Sequence, residues 1–236
     1  MWERSEARSE RRFPRRLATG PNTNVLIVAE FGPDVQHYAR QFAHLSIPRP
    51  RNCPHCEARD RLIGHGSYPR TAIDHRQAIP IRVKRFFCPA CRKTISVLPS
   101  FCLPWRHYQA VSIQTVLDLR FTAQASWATI RQGFLPSDLP TQTTCREWVA
   151  AFCQHADTYL QQLLRQLAHW QLAPGKLEVA VAELASVSQA PRQLVAAVPH
   201  LVAFLRDSGV AVTSGASRWL ATLWQWGHSQ NLARLV

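Results

Sequence analysis

The hydrophobic rhythm of the chain changes near its middle. From 79 to 87 apolar and polar positions alternate, with Ile79, Ile81, Val83 and Phe87 on one face and Arg82, Lys84 and Phe86 on the other. That period of two is the signature of a half-buried strand. Residues 61–67 and 94–98 have the same character, which predicts a small antiparallel sheet. Upstream, the run Val25, Leu26, Ile27, Val28 predicts a buried strand over 24–30, and 35–45 reads as a short helix ahead of a Pro- and Arg-rich linker at 47–51.

Beyond 112 the apolar spacing becomes three and four. Ile113, Val116, Leu117 and Phe121 mark one face of a helix with Ser112 as its expected N-cap, and Ser126 is the expected cap of a second helix carrying Trp127, Ile130 and Phe134. Residues 135–140 turn the chain into a third helix from near Thr141, with Trp148, Val149 and Phe152 inward and Gln142, Thr143, Thr144 and Arg146 at its exposed beginning. Its stripe continues through Tyr159, Leu160, Leu163, Leu164 and Leu167 toward Trp170, a face suited to internal packing or to a second subunit. Pro174 and Gly175 break the pattern, and helices over 176–187, 191–206 and 216–226 follow. The last gathers Trp219, Leu220, Leu223, Trp224 and Trp226 largely on one side, as a core face or as a partner surface.

The expected fold class is therefore α+β: a small antiparallel ribbon, a mostly α-helical helix-turn-helix region, then a helical tail. Five segments follow: a flexible basic arm over 1–20, a strand-and-helix lead-in over 21–50, the ribbon over 51–98, the helix-turn-helix region with its long third helix over 99–172, and the tail over 173–236.

Charge sharpens this picture. The chain has 236 residues with 28 Lys and Arg against 15 Asp and Glu, a net charge of +13 and a pI near 10.3. Such a field draws phosphate backbones, and arginine, which dominates here, forms bidentate contacts to phosphate and guanine. The arm has no apolar stretch of the kind a secretory signal needs, and the longest apolar candidate, 194–205, is interrupted by Pro199 and His200. The expectation is a cytoplasmic, nucleoid-associated protein with no membrane partner.

The strongest chemical signal is a pair of Cys-Pro-x-Cys knuckles, Cys53-Pro54-His55-Cys56 and Cys88-Pro89-Ala90-Cys91, with 31 residues between them. Each knuckle puts two sulfurs on one tight turn, and a sheet of the intervening length can bring the turns together around a tetrahedral zinc ion. Four protein ligands leave no open position, so the zinc is expected to be structural. Redox and iron–sulfur roles fit the spacing less well. The residues after the knuckles, Glu57 and Arg92, stand where many ribbons place glycine to take a left-handed turn. His55 reads as a surface residue, and Cys102, Cys145 and Cys153 as buried thiols.

The three helices between 112 and 169 outline a helix-turn-helix, in which the last helix enters the major groove. The candidate DNA contacts are Gln142, Thr143, Thr144 and Arg146 on that helix, with Arg82, Lys84, Arg85, Arg92 and Lys93 on the ribbon. Catalysis is not expected. Asp157, Glu178, Glu183 and Asp207 do not supply the paired carboxylates of a two-metal nuclease, and His65, Asp74, His75 and His107 show no nucleophile partner.

The runs CPHC, LIGHGSYPR, IPIRVKRFFCPACRKTISVLPSF and LPWRHY, with the helical segment ending in REW, resemble the N-terminal zinc-ribbon and helix-turn-helix part of bacterial insertion-sequence transposases. They resemble still more a bacterial family of uncharacterised stand-alone proteins that carry that ribbon. The resemblance covers about two fifths of the chain, from Cys53 to Trp148, and implies DNA binding and a link to mobile elements; the expected partner is double-stranded DNA and the expected role that of a transposition accessory factor or regulator. It implies no catalytic domain. The alternatives are an adaptor, whose ribbon is only structural and whose Trp-rich tail binds a transposase, a recombinase or a second copy of the chain, and a transposase remnant without function.

Overall fold

Strand pairing organises the N-terminal half of the protein in a computed structural model, which describes residues 25–29, 31, 34–134, 140–169, 189–207, 219–230, 232 and 235–236. The expected basic arm, the helix over 176–187, Trp170 and most of the turn over 135–140 lie outside the described residues. Four strands, β1 Val25–Ala29, β2 Ile63–Ile73, β3 Ala78–Cys88 and β4 Lys93–Pro99, form one sheet in the order β1-β4-β3-β2. β2, β3 and β4 are antiparallel neighbours, whereas β1 adds to β4 in parallel, with Val25 opposite Ile95 and Val28 opposite Leu98. The lead-in strand is thus part of the ribbon's own sheet.

β2 is longer than its apolar pattern indicated, because it pairs along the whole of β3 as far as Ile73 opposite Ala78. The hairpin turn is closed by Asp74, whose carboxylate accepts from the backbone N–H of Arg76 at 2.6 Å and of Gln77 at 2.8 Å. Two prolines sit inside these strands. Pro69 is on edge strand β2, and Pro80 lies where β3 has passed the end of β4, so neither removes a hydrogen bond between three strands.

The two faces of the sheet carry two cores. Ile79, Ile81 and Val83 face the larger core together with Leu98, whereas Phe86 and Cys88 face a smaller one with Ile95, Val97, Cys53 and Leu62. This corrects the expected division of β3. Phe86 is 4 % exposed and Phe87 is only half-buried, because each face is covered at opposite ends of the strand. On the larger core lies helix α1, Val35–Gln41, capped by Asp34, which accepts from the His37 N–H at 2.7 Å. Its Tyr38 is fully buried among Phe31, Phe42 and Phe101 and donates to the Arg82 carbonyl at 2.7 Å.

The remaining helices are α2 Ala110–Phe121, α3 Trp127–Gln132, α4 Gln142–His169, α5 Ala190–Asp207 and α6 Trp219–Ser229. α2 starts two residues before the expected cap. Gln109 N–H donates to the Ile73 carbonyl at 2.8 Å and Ala110 N–H to that of Phe101 at 2.9 Å, so the sheet sets the helix start and Ser112 is buried inside the first turn. Ser126 does cap α3, accepting from Thr129 N–H at 3.1 Å, and Thr141 caps α4 through Thr144 N–H at 3.3 Å. Along α4, Trp148, Val149, Phe152, Tyr159, Leu160, Leu163 and Leu167 are buried against the chain's own α5, α2 and α6, which gives the stripe an internal role. Cys102 and Cys145 are buried as expected, but Cys153 is exposed, one position beyond the inward-facing Phe152. Among the described residues no helix is long and apolar enough to cross a membrane.

α6 seals the helical half. Trp219, Trp224 and Trp226 are 5–7 % exposed, so the tryptophans that an adaptor would use for docking are packed inside the chain. α6 crosses α4 closely at Gly227, where an added methyl group would overlap the Tyr159 ring. Replacing Gly227 with Ala should therefore cost about 1–3 kcal/mol despite the better helix propensity of alanine, and Tyr159→Leu should recover part of that loss in the same background. Denaturant midpoints of the two variants and their combination check this.

Candidate metal centre

Each knuckle is a backbone device before it is a ligand set. In the first, Glu57 N–H donates to the Cys53 carbonyl at 2.8 Å and Cys53 N–H to that of Ala58 at 3.0 Å, while Asn52 and Arg59 form a bridge that closes a miniature hairpin. In the second, Cys88 ends β3 directly opposite Lys93 at the start of β4. The residue after each second cysteine is left-handed, with φ of 61° at Glu57 and 56° at Arg92. These turns need that conformation whether or not glycine supplies it.

Pairing β2 with β3 returns the chain so that the two knuckles face one another. The four sulfurs of Cys53, Cys56, Cys88 and Cys91 all lie within 4.8 Å of one another, and the cross-knuckle distances Cys53–Cys91 and Cys56–Cys88 are both 3.7 Å. A tetrahedral ion with sulfur at about 2.3 Å has edges of about 3.8 Å. The residues thus fit a single four-coordinate metal ion. Beneath them, Leu62, Phe86, Ile95 and Val97 make an apolar floor, and Cys53 and Cys88 are themselves fully buried.

The protons on these sulfurs resist ionising together. Burial and the neighbouring thiols push Cys91 up to about 12, and burial also raises Cys53. At Cys88 burial acts in the same direction, but the Cys91 backbone N–H and the adjacent thiols outweigh it and bring this thiol down to about 7. One thiolate therefore forms readily, and a cation is what makes four compatible.

The proposed DNA contacts do not share one face. Arg82 and Lys84 lie on the same side of β3; Arg82 is exposed and donates to Ser67 Oγ at 2.9 Å. Arg85 points to the opposite side, with its guanidinium 5.6 Å from the Tyr68 ring centroid and its Nε buried without a hydrogen-bond acceptor. Arg92 is exposed in the second knuckle, and Lys93 Nζ lies 2.5 Å from Nε2 of His55, an exposed residue of the first knuckle. On α4, Thr143 and Arg146 are exposed and Gln142 half-buried, while the Thr144 hydroxyl is engaged by Thr141 at 3.0 Å. Arg146 sits 5.4 Å from the Trp127 ring centroid, as does Arg120, a residue the hydrophobic pattern passed over because an arginine in the last turn of a helix is ordinarily only a solvated charge. The expected recognition surface is thus a sheet part and a helix part.

Residues 36–132 match a family described as a domain of unknown function, DUF6431. The DUF6431 stretch includes all four cysteines, β2 to β4, α1 but for Val35, α2 and α3, and ends with the last residue of α3. No curated protein and no solved structure matches the chain.

Two outcomes follow from this geometry. Glu57→Gly should raise stability by about 1 kcal/mol, since it relieves a left-handed non-glycine residue without touching a sulfur, and a thermal melt of the metal-loaded protein reads it. Because loading displaces protons held on Cys53 and Cys91, affinity for the ion should fall as pH is lowered through 7, by on the order of 10⁴-fold between pH 8 and pH 6 in a competition titration with a chromophoric chelator.

Proposed function

We propose that this chain is a zinc-stabilised, double-stranded DNA-binding protein associated with mobile elements, acting as a transposition accessory factor or regulator in the cytoplasm. The observation that carries the reading is the closed set of four sulfurs. With every coordination position filled by protein, the ion braces the surface around it and takes no part in chemistry there. That surface belongs to a chain of net charge +13. The 3.7 Å sulfur spacing suits one ion and not a cluster, and four thiolates in tetrahedral order favour zinc.

In this reading Arg82, Lys84, Arg92 and Lys93 meet phosphates beside the knuckles, and α2, α3 and α4 serve as a helix-turn-helix with Gln142 and Thr143 toward the bases. Support comes from three helices in the expected places, from the exposed start of α4 and from the motif resemblance to the DNA-binding part of insertion-sequence transposases. The protein binds and does not catalyse. Asp74, the carboxylate nearest in sequence to His75, is spent on closing a hairpin turn.

The test is selection from a random duplex library at near-physiological salt by the zinc-loaded protein, alongside a Cys88→Ser, Cys91→Ser variant. The expected outcome is a defined motif for the native protein, lost in the variant, with zinc at one equivalent by elemental analysis in the native protein alone. Recovery of random sequences by a folded, zinc-loaded protein would remove DNA readout.

A further inference from the structure

The turn between α2 and α3 assembles two positive charges on one aromatic ring. Thr122 and Ala123 N–H both donate to the Asp118 carbonyl, at 2.9 and 3.0 Å, Gln124 takes a left-handed φ of 54°, and Ala125 N–H returns to the Leu119 carbonyl at 2.8 Å. This tight stop leaves Arg120 on the last turn of α2, where its guanidinium donates to the Ala125 carbonyl at 3.2 Å. Ser126 then caps α3 and makes Trp127 its first residue. Arg146, from the second turn of α4, arrives at the same ring. Both guanidinium carbons lie 5.4 Å from the Trp127 centroid.

We propose that Arg120 and Arg146, held on Trp127, form a clamp for the phosphate backbone of DNA, an inference that rests on the DNA-binding reading above. Each cation lies 5.4 Å from the same ring centroid, and among the described residues neither has a carboxylate within ion-pair distance, so positive charge gathers here without a counter-charge. Asp118, two positions before Arg120, is held elsewhere, accepting from Trp219 Nε1 at 2.9 Å and from Gln114. Phosphate groups along one strand supply the missing counter-charge to both cations. A guanidinium packed on an aromatic ring keeps in-plane N–H groups for phosphate oxygens, those of Arg120 beyond the one given to Ala125, and packing restricts its conformational freedom before the ligand arrives. Because the indole is already engaged by arginine, its role is to hold the cations and not to stack on a base. Contacts of this kind set register on the duplex without reading sequence. The clamp joins the end of α2, the start of α3 and the start of α4, so it places the exposed beginning of α4 relative to the backbone.

The experiment is a salt series of duplex binding by the full-length, zinc-loaded protein and its Arg120→Gln, Arg146→Gln, double Gln and double Lys variants, each with a thermal melt. The slope of log affinity against log salt should fall by about 0.9 for each Gln substitution and by about 1.8 for the double variant, equally for all duplex sequences, while the double Lys variant keeps most of the native slope. A steep native slope left unchanged in the Gln variants would overturn the clamp and leave DNA binding in place. Absence of native binding would overturn the DNA reading and the clamp with it. Arg146 is exposed, so the Arg146→Gln protein decides the matter even if loss of Arg120 unfolds the turn.

Discussion

Strand β3 is the common wall of both cores, and the rest of the molecule depends on its register. Its residues Ile79, Ile81 and Val83 close the larger core, which continues into the helices, and its residues Phe86 and Cys88 close the smaller core beneath the sulfurs. A slip of one residue against β2 or β4 would turn every one of these side chains to the wrong face. The same slip would carry Cys88 away from Cys56. Register, core formation and metal geometry are therefore one constraint, and a bound ion that favours the native pairing stabilises all three together.

That arrangement explains how a small ribbon supports a larger helical assembly. The sheet is not an isolated metal module: β1 adds a parallel edge, α1 lies on β3 through Tyr38, and the start of α2 is hydrogen-bonded to Ile73 and Phe101. Arg70 ties the loop between β4 and α2 to β2, donating to the carbonyls of Leu103 and Arg106. Through these links the sheet sets where α2 begins, and the turn after α2 sets where Arg120 and Trp127 stand. Positive charge is thereby distributed over two supported regions, one beside the knuckles and one at the meeting of three helices.

Apolar periodicity alone located most elements. The strands β1, β3 and β4 and the helices α1 to α6 lie within a few residues of where alternation and three-four spacing put them, because those patterns reflect burial on one face of a single element. The errors are of a different kind. Phe86 and Phe87 exchanged roles because β3 is covered on both faces, which no one-face pattern describes. Ser112 has the chemistry of a cap, but hydrogen bonds from the sheet start α2 at Ala110. Residue type makes Cys153 a buried thiol, but a rotation of one position along α4 from the inward-facing Phe152 exposes it.

The chain alone specifies a candidate metal site, since two Cys-Pro-x-Cys turns carry their own ligand spacing and demand left-handed residues at Glu57 and Arg92, which the structure has. It determined the net charge of +13 and the period of each element as well. Only the tertiary structure decided which sulfurs oppose one another, that the tryptophans of α6 face inward, and that Arg120 meets Arg146 on Trp127. The physical reason is one of range. Turn chemistry and periodicity are written within a few residues, whereas contacts between residues 19 or 38 positions apart depend on how whole elements pack.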